Sequence, residues 1–339
     1  PADRDTGHRR GARDRGPVRR DGDALIASAV HFGVNLPAQH TTWDALRDTV
    51  CFVDELGFDS VWTWDHFVPL QGDTDGPIFE AWQLLAAWGA VTKRARLGTL
   101  VTGNTYRHPA VLANMVATLD HITNGRAILG LGAAWHEGEH TMYGLPFFTT
   151  GGRLSRMDEA AALIRQLLDQ PFSDFTGKHY RLRNATCEPK PVQPRLPILI
   201  GGGGERKTLR TVARYADLWH TNATPEVFAH KVEVLRRHCA EVGRDPGEIT
   251  PIATERPWVC LRDSDQEVHA WAREIQRANR MTETPELSAI RTVDALVDRL
   301  LEYWRVGVRG FIFYTLPPFD RETIERIARE VRPRFLEAI

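Results

Sequence analysis

This sequence has no run near the roughly 20 apolar residues that a membrane-crossing helix requires, so a spanning protein is not expected. Cysteine is scarce: Cys51, Cys187, Cys239 and Cys260 are scattered, and no two form a CxxC pair. That excludes a zinc ribbon or a disulfide framework as the organising principle and suits a reducing cytoplasm. An excess of charge of either sign is also missing, since 43 Lys and Arg face 44 Asp and Glu for a formal net charge of −1. Nucleic acid and anionic membrane surfaces normally leave a basic excess in their partners, so neither is expected here. No apolar stretch follows the N-terminal charges, which therefore do not read as a secretory signal. Residues 1–27 interleave Arg, Asp and Gly with almost no large apolar side chains. Such a segment cannot offset its ordering entropy and reads as a disordered, solvated tail; its aspartates dilute any basic anchor.

The rest of the 339 residues is well supplied, with 42% hydrophobic and 26% charged residues. That is enough for a sizeable core. From about residue 28 onward, short β-rich runs alternate with longer helical patterns. The strands are expected at 30–36, 59–67, 96–102, 126–133, 197–200, 217–221, 249–261 and 309–314. Between the first two, Trp43, Leu46, Val50, Val53 and Leu56 recur at helical spacing until Gly57 stops the helix. Pro109 opens another helix at a position where a missing N–H costs nothing. After the fourth strand the period stretches. Residues 136–196 read as an insertion with a helix at about 153–168 and a small hairpin. Eight β-to-α units with right-handed crossovers point to an α/β protein, a closed (β/α)8 TIM-type barrel with an insertion after strand 4, over residues 28–339. Catalytic groups of such barrels lie where strands end and βα loops begin.

Four strand ends carry chemistry-bearing residues. Gly201, Gly202, Gly203 and Gly204 stand between an apolar strand and a helix, where backbone can approach a ligand closely and free N–H groups suit phosphate. Arg206 occupies the place where a dinucleotide fingerprint or a P-loop would need glycine, so the turn is of another kind, if it is not a packing turn alone. The run Trp62-Thr63-Trp64-Asp65-His66-Phe67 crowds a carboxylate and an imidazole onto one terminus. His66 suits general acid/base work near neutral pH; Asp65 capping the next turn beside a packed histidine explains the same residues. Small residues from Gly98 to Asn104 allow a bulge on which a flat ring can rest, and an edge kink equally. Finally, His136-Glu137-Gly138-Glu139-His140 spells HExxH, with Glu159 downstream as a conceivable third ligand. A zinc site needs both histidines on one face of a stable helix, and Gly138 costs about 1 kcal/mol of helix propensity, so no metal site is expected.

Taken together, residues 55–67 (ELGFDSVWTWDHF), 97–113 (LGTLVTGNTYRHPAVLA), 118–140 (TLDHITNGRAILGLGAAWHEGEH) and 197–219 (PILIGGGGERKTLRTVARYADLW) resemble the luciferase-like flavin-dependent oxidoreductases, specifically the coenzyme F420-dependent branch. The likeness covers roughly residues 30–221; the C-terminal third matches only in its βα rhythm. The resemblance implies F420, with FMN the alternative for a monooxygenase, at the C-terminal strand ends. It implies that Asp65 contacts the cofactor and His66 moves the proton that accompanies hydride transfer to or from a small organic substrate. It implies a bulge at Leu100, Val101 and Thr102 behind the ring, closed by a non-proline cis peptide. Ala134, Trp135 and Gly138 would line the pocket, and the four glycines would hold the phosphate. Trp62, Trp64 and Trp135 are candidate walls for an apolar substrate. Some members carry a catalytic Glu where this chain has Trp135, and Glu137 and Glu139 do not align with it convincingly, which argues against sugar-phosphate oxidation. A homodimer is the family's expectation.

Overall fold

The first strand, β1 (His31–Asn35), alternates sides as a barrel strand must. Phe32 and Val34 turn outward to the helices and are fully buried there. Gly33 faces the interior, where an added Cβ would lie 2.4 Å from Ser60 Oγ and 2.9 Å from Trp62 Nε1. In this computed structural model, which describes residues 30–339, eight parallel staves follow one another round a closed ring. The tail expected at residues 1–27 lies outside the described residues.

The staves are β1, β2 (Ser60–Thr63), β3 (Arg96–Thr99) with its continuation β4 (Thr102–Gly103), β5 (Ala127–Gly132), β8 (Ile198–Gly201), β9 (Leu218–Thr221), β10 (Thr250–Ala253) and β11 (Gly310–Tyr314). Two short antiparallel strands, β6 (Ser173–Thr176) and β7 (Arg181–Ala185), form the hairpin of the insertion. Pairing of β3 with β5, Leu97 to Ala127 and Gly98 to Ile128, closes the ring together with β1 on β11. Trp62, Ile128, Leu199, Leu218, Ile252 and Ile312 fill the interior as a packed plug. Burial of such side chains contributes about 1.5–3 kcal/mol each.

Helices surround the ring: α1 (Trp43–Glu55), α2 (Ala81–Val91), α3 (Pro109–Ile122), α5 (Thr150–Asp169), α6 (Thr208–Tyr215), α7 (Pro225–Val242), α9 (Val293–Arg305), and the final α10 (Arg321–Arg326) and α11 (Arg332–Ala338). Their starts follow capping chemistry: Thr42 Oγ1 accepts from Ala45 N and Thr149 Oγ1 from Gly152 N, while Pro109 occupies the first turn of α3. None of the described helices is long and apolar enough to cross a membrane.

Three expectations change. The third strand does not run unbroken to Thr102; it stops at Thr99 and resumes at Thr102, with a cis peptide between Leu100 and Val101. The seventh ends at Ala253 rather than Leu261, because residues beyond it leave the ring for a second excursion. That excursion carries α8 (Asp265–Ala278), opened by a reciprocal Ser264–Glu267 capping box. It brings Trp258, Trp271 and Ile275 over Trp64 and Leu316 at the barrel mouth. Buried Gln39 pins it there: its amide donates to Asn279 Oδ1 (3.0 Å), and its Oε1 accepts from Leu70 N (2.8 Å). The insertion after the fourth strand is partly the barrel itself, since α5 is the fourth barrel helix; the additions are the hairpin and a short α4 (Glu137–Met142).

Gly130 shows how closely β5 approaches the broken third stave. An added Cβ would sit 1.7 Å from the Thr99 carbonyl oxygen, and Thr99 Oγ1 donates to the Gly130 carbonyl (3.0 Å). Gly130→Ala must therefore push the neighbouring backbones apart, and a loss of about 1–3 kcal/mol is expected in denaturant unfolding. An unchanged midpoint would show that these staves separate freely.

Candidate active site

The strand that buries Trp62 inside the plug delivers Trp64, two residues on, to the same face one layer higher. Trp62 is fully buried, with Nε1 donating to Ser60 Oγ (2.6 Å), so it packs the barrel and is not a pocket wall. Trp64, Asp65 and His66 border a cavity of about 660 Å³ at the C-terminal ends of the staves.

His66 is held from one side. Its Nδ1 lies 2.7 Å from Oε2 of Glu139, a side chain with no solvent exposure. The same oxygen accepts from the Tyr106 hydroxyl (2.6 Å), and Oε1 accepts from the backbone N–H groups of Phe67 and Val68. Burial pushes the Glu139 carboxyl up, but His66, Tyr106 and the Phe67 N–H outweigh it and hold it at about 2. Burial, reinforced by that carboxylate, raises the Tyr106 phenol well above its ordinary range. An ionised Glu139 accepts only, so Nδ1 carries a proton and Nε2 is the nitrogen left for chemistry.

Asp65 borders the same cavity, yet both of its oxygens are taken by Arg107, at 2.6 and 3.0 Å, and Arg107 also binds Glu80 at 2.5 Å. Its carboxylate anchors the loop after β3 to the end of β2.

Leu100 and Val101 form part of the cavity wall, and the reason for the surrounding glycines is visible there. Val101 wedges between two staves: a Cβ on Gly132 would fall 2.5 Å from its Cγ2, and one on Gly201 3.0 Å from its Cγ1. Ala134, at φ 61° in the left-handed region, and Trp135, 62% exposed, continue the wall; the Trp135 ring lies 5.7 Å from that of His66. Gly201 and Gly202 also line the cavity. Other site residues expected from the sequence fall elsewhere. The Thr102 hydroxyl points into the protein, bonded to Trp82 Nε1 (3.1 Å) and Thr99 Oγ1 (2.9 Å). Gly203 and Gly204 sit beyond the lining at the approach to α6, with Lys231 Nζ donating to the Gly203 carbonyl (2.7 Å) and Leu209 N to that of Gly204 (3.0 Å). Gly138 faces the His136 ring inside α4 rather than the cavity.

The HExxH stretch does form a helix, against expectation. The cost of Gly138 is outweighed because His136 caps the turn, its Nδ1 accepting from Glu139 N (3.0 Å), and because Glu139 is anchored by four donors. Neither imidazole is arranged as a zinc ligand. His140 is buried with Nε2 against Thr105 Oγ1 (2.7 Å) and Nδ1 against the His136 carbonyl (2.8 Å). No group of three or more His, Cys, Asp or Glu side chains among the described residues could hold a metal ion.

The far side of the cavity comes from residues the sequence did not single out: His220, Thr221, Asn222, Arg256 and Tyr314. Burial lowers the His220 pKa to about 4, and Arg256 acts in the same direction; its Nε2 lies 2.8 Å from Thr254 Oγ1. The imidazole is therefore neutral at pH 7.

A sequence profile of the luciferase-like monooxygenases matches residues 26–303. This chain belongs to that family. Among relatives of this luciferase-like barrel, an uncharacterised protein of Mycobacterium tuberculosis is 33% identical over 183 residues, 52% of this chain and 64% of the relative. An F420-dependent glucose-6-phosphate dehydrogenase of Microbacterium testaceum is 29% identical over 331 residues, 90% of this chain and 97% of that enzyme. An F420-dependent secondary alcohol dehydrogenase, solved in complex with an F420-acetone adduct, superposes with a TM-score of 0.76 over 91% of this chain and 99% of that one. At 22% identity that last likeness speaks for the shared barrel alone.

Proposed function

We propose that this luciferase-like barrel is an F420-dependent oxidoreductase that moves a hydride between the deazaflavin and a small organic substrate. The observation that carries the reading is the His66–Glu139 pair, set at the mouth beside the Leu100–Val101 turn. The relatives named F420-dependent favour F420 over FMN.

The residues present fit a flat cofactor bearing a phosphate. Gly132 of β5, the two alanines after it and Gly201 of β8 leave a thin wall backed by Val101, which a Cβ at Gly132 or Gly201 would displace. Leu100, Val101, Ala134 and Trp135 would hold the ring, and Gly201 and Gly202, with Gly203 and Gly204 at the edge, its phosphate. Asp65 would serve the cofactor by fixing the neighbouring loop through Arg107. When bound, F420 supplies a carbon centre, C5, that gives or takes hydride. His66 gives or takes the proton at Nε2, while Glu139 holds the ring and keeps Nδ1 protonated. Trp135 and Trp64 exclude water from the approach to the ring.

An FMN-dependent monooxygenase is the second reading, supported by the description of the matching profile. Turnover without oxygen separates the two. F420 consumption in a panel of alcohols and sugar phosphates, followed by the deazaflavin's visible absorbance, should proceed equally in anaerobic and aerated buffer. A requirement for oxygen would overturn the hydride-transfer reading.

A further inference from the structure

The two halves of the cavity differ in chemistry. The β3, β5 and β8 side is built of Val101, Gly132, Ala133, Ala134 and Gly201, which suits a flat ring. The β9, β10 and β11 side is polar, and it holds the one arginine of the lining among the described residues, Arg256. Among the described residues Asp65 is the lining's one carboxylate, and Arg107 already occupies both of its oxygens. Three other arginines of the described residues are paired with carboxylates: Arg107 with Asp65, Arg262 with Asp320 and Arg299 with Glu255. Arg256 is different. Among the described residues it meets no carboxylate, and its guanidinium lies over two aromatic rings, 5.3 Å from the Tyr314 centroid and 5.4 Å from that of Trp258. Those rings fix the direction of the side chain without satisfying its donors. The neighbouring His220 is neutral at pH 7, so among the described residues Arg256 alone gives this side of the cavity a positive charge. The Trp64 and Tyr314 rings, 6.0 Å apart and tilted by 42°, add aromatic surface to the cavity that His66 and Arg256 also line.

We propose that Arg256 is a specificity-determining residue that binds the anionic end, carboxylate or phosphate, of a small aromatic or otherwise flat substrate whose body lies along Trp64 and Tyr314. The inference rests on the reading that F420 takes the small-residue side of the cavity. It narrows the substrate from any small organic molecule to an oxyanion-bearing one. A planar guanidinium with free donors recognises either anion by paired, charge-assisted hydrogen bonds.

The test is calorimetric titration of the wild type, Arg256→Gln and Arg256→Lys with cinnamate, phenyl phosphate and the uncharged cinnamamide, each with and without F420. F420 affinity is measured separately from its own fluorescence. Arg256 is exposed, so both variants should fold, which their melting curves check. The wild type should bind at least one of the two anions about tenfold or more tightly than the amide. Arg256→Gln should abolish that preference, Arg256→Lys should restore some of it, and F420 affinity should stay the same in all three. Tighter cinnamate binding assigns a carboxylate, and tighter phenyl phosphate binding a phosphate. Equal binding of anions and amide, no binding of any probe, or a preference that survives in Arg256→Gln overturns the proposal. So does a loss of F420 affinity in Arg256→Gln, which would assign the arginine to the cofactor. A wild type that prefers anions but never binds F420 sinks the functional reading while leaving the anion subsite standing.

Discussion

Replacing His66 with alanine is expected to lower turnover by about 10²–10⁴-fold while leaving F420 affinity within severalfold, the scale usual for losing a positioned general acid/base. The split follows from the geometry. The imidazole borders the cavity but spends its Nδ1 on Glu139, so what alanine removes is a proton carrier and a small area of ring surface. Steady-state rates at saturating cofactor, with an independent binding titration, separate the two quantities. Equal losses in turnover and affinity would make His66 a cofactor contact instead; unchanged turnover would remove it from the mechanism.

Glu139→Gln is expected to act through both stability and rate. The carboxylate serves four donors, and an amide oxygen cannot serve them all; its NH2 would also face the Nδ1 proton of His66. Misdirecting His66 should cost about 10–100-fold in turnover, less than deleting it, again with F420 affinity nearly unchanged. The stability effect has a definite sign. The folded value of about 2 lies below the ordinary 4.5, so the carboxylate stabilises the fold fully above pH 4.5, and that contribution is lost as pH falls toward 2. By linkage it is worth about 3 kcal/mol. Denaturant unfolding from pH 7 to pH 3 should therefore show the wild type losing its advantage over Glu139→Gln in that window. Parallel curves for the two proteins would mean that the network carries no differential protonation.

The residue that supports His66 was in view in the sequence and passed over. HExxH draws attention to its histidines as ligands, whereas the structure uses His136 as a helix cap and Glu139 as the anchor. The usable signal was local: a capping side chain at 136 fixes a short helix whose 139 position faces back toward the barrel. Tyr106 and Arg107 likewise stood inside the 97–113 run, but nothing in their spacing says that they reach Glu139 and Asp65. Those are long-range meetings, made by the parallel order of β2, β3 and β5. The barrel itself was legible because alternation and glycine punctuation are local, and eight units leave few topologies. The excursion over the mouth was not, since Trp258, Trp271 and Ile275 pack on Trp64 from residues distant in sequence. Arg256 and His220 were missed for the same reason. Isolated polar residues in or just after unremarkable strands announce nothing until the ring closes and brings them to the cavity that His66 borders.

The most direct test of the central claim is a titration of cofactor-free protein with F420 and FMN side by side, each followed by its own fluorescence. Saturable F420 binding much tighter than FMN binding is the predicted result. Tight FMN binding with none for F420 would contradict it.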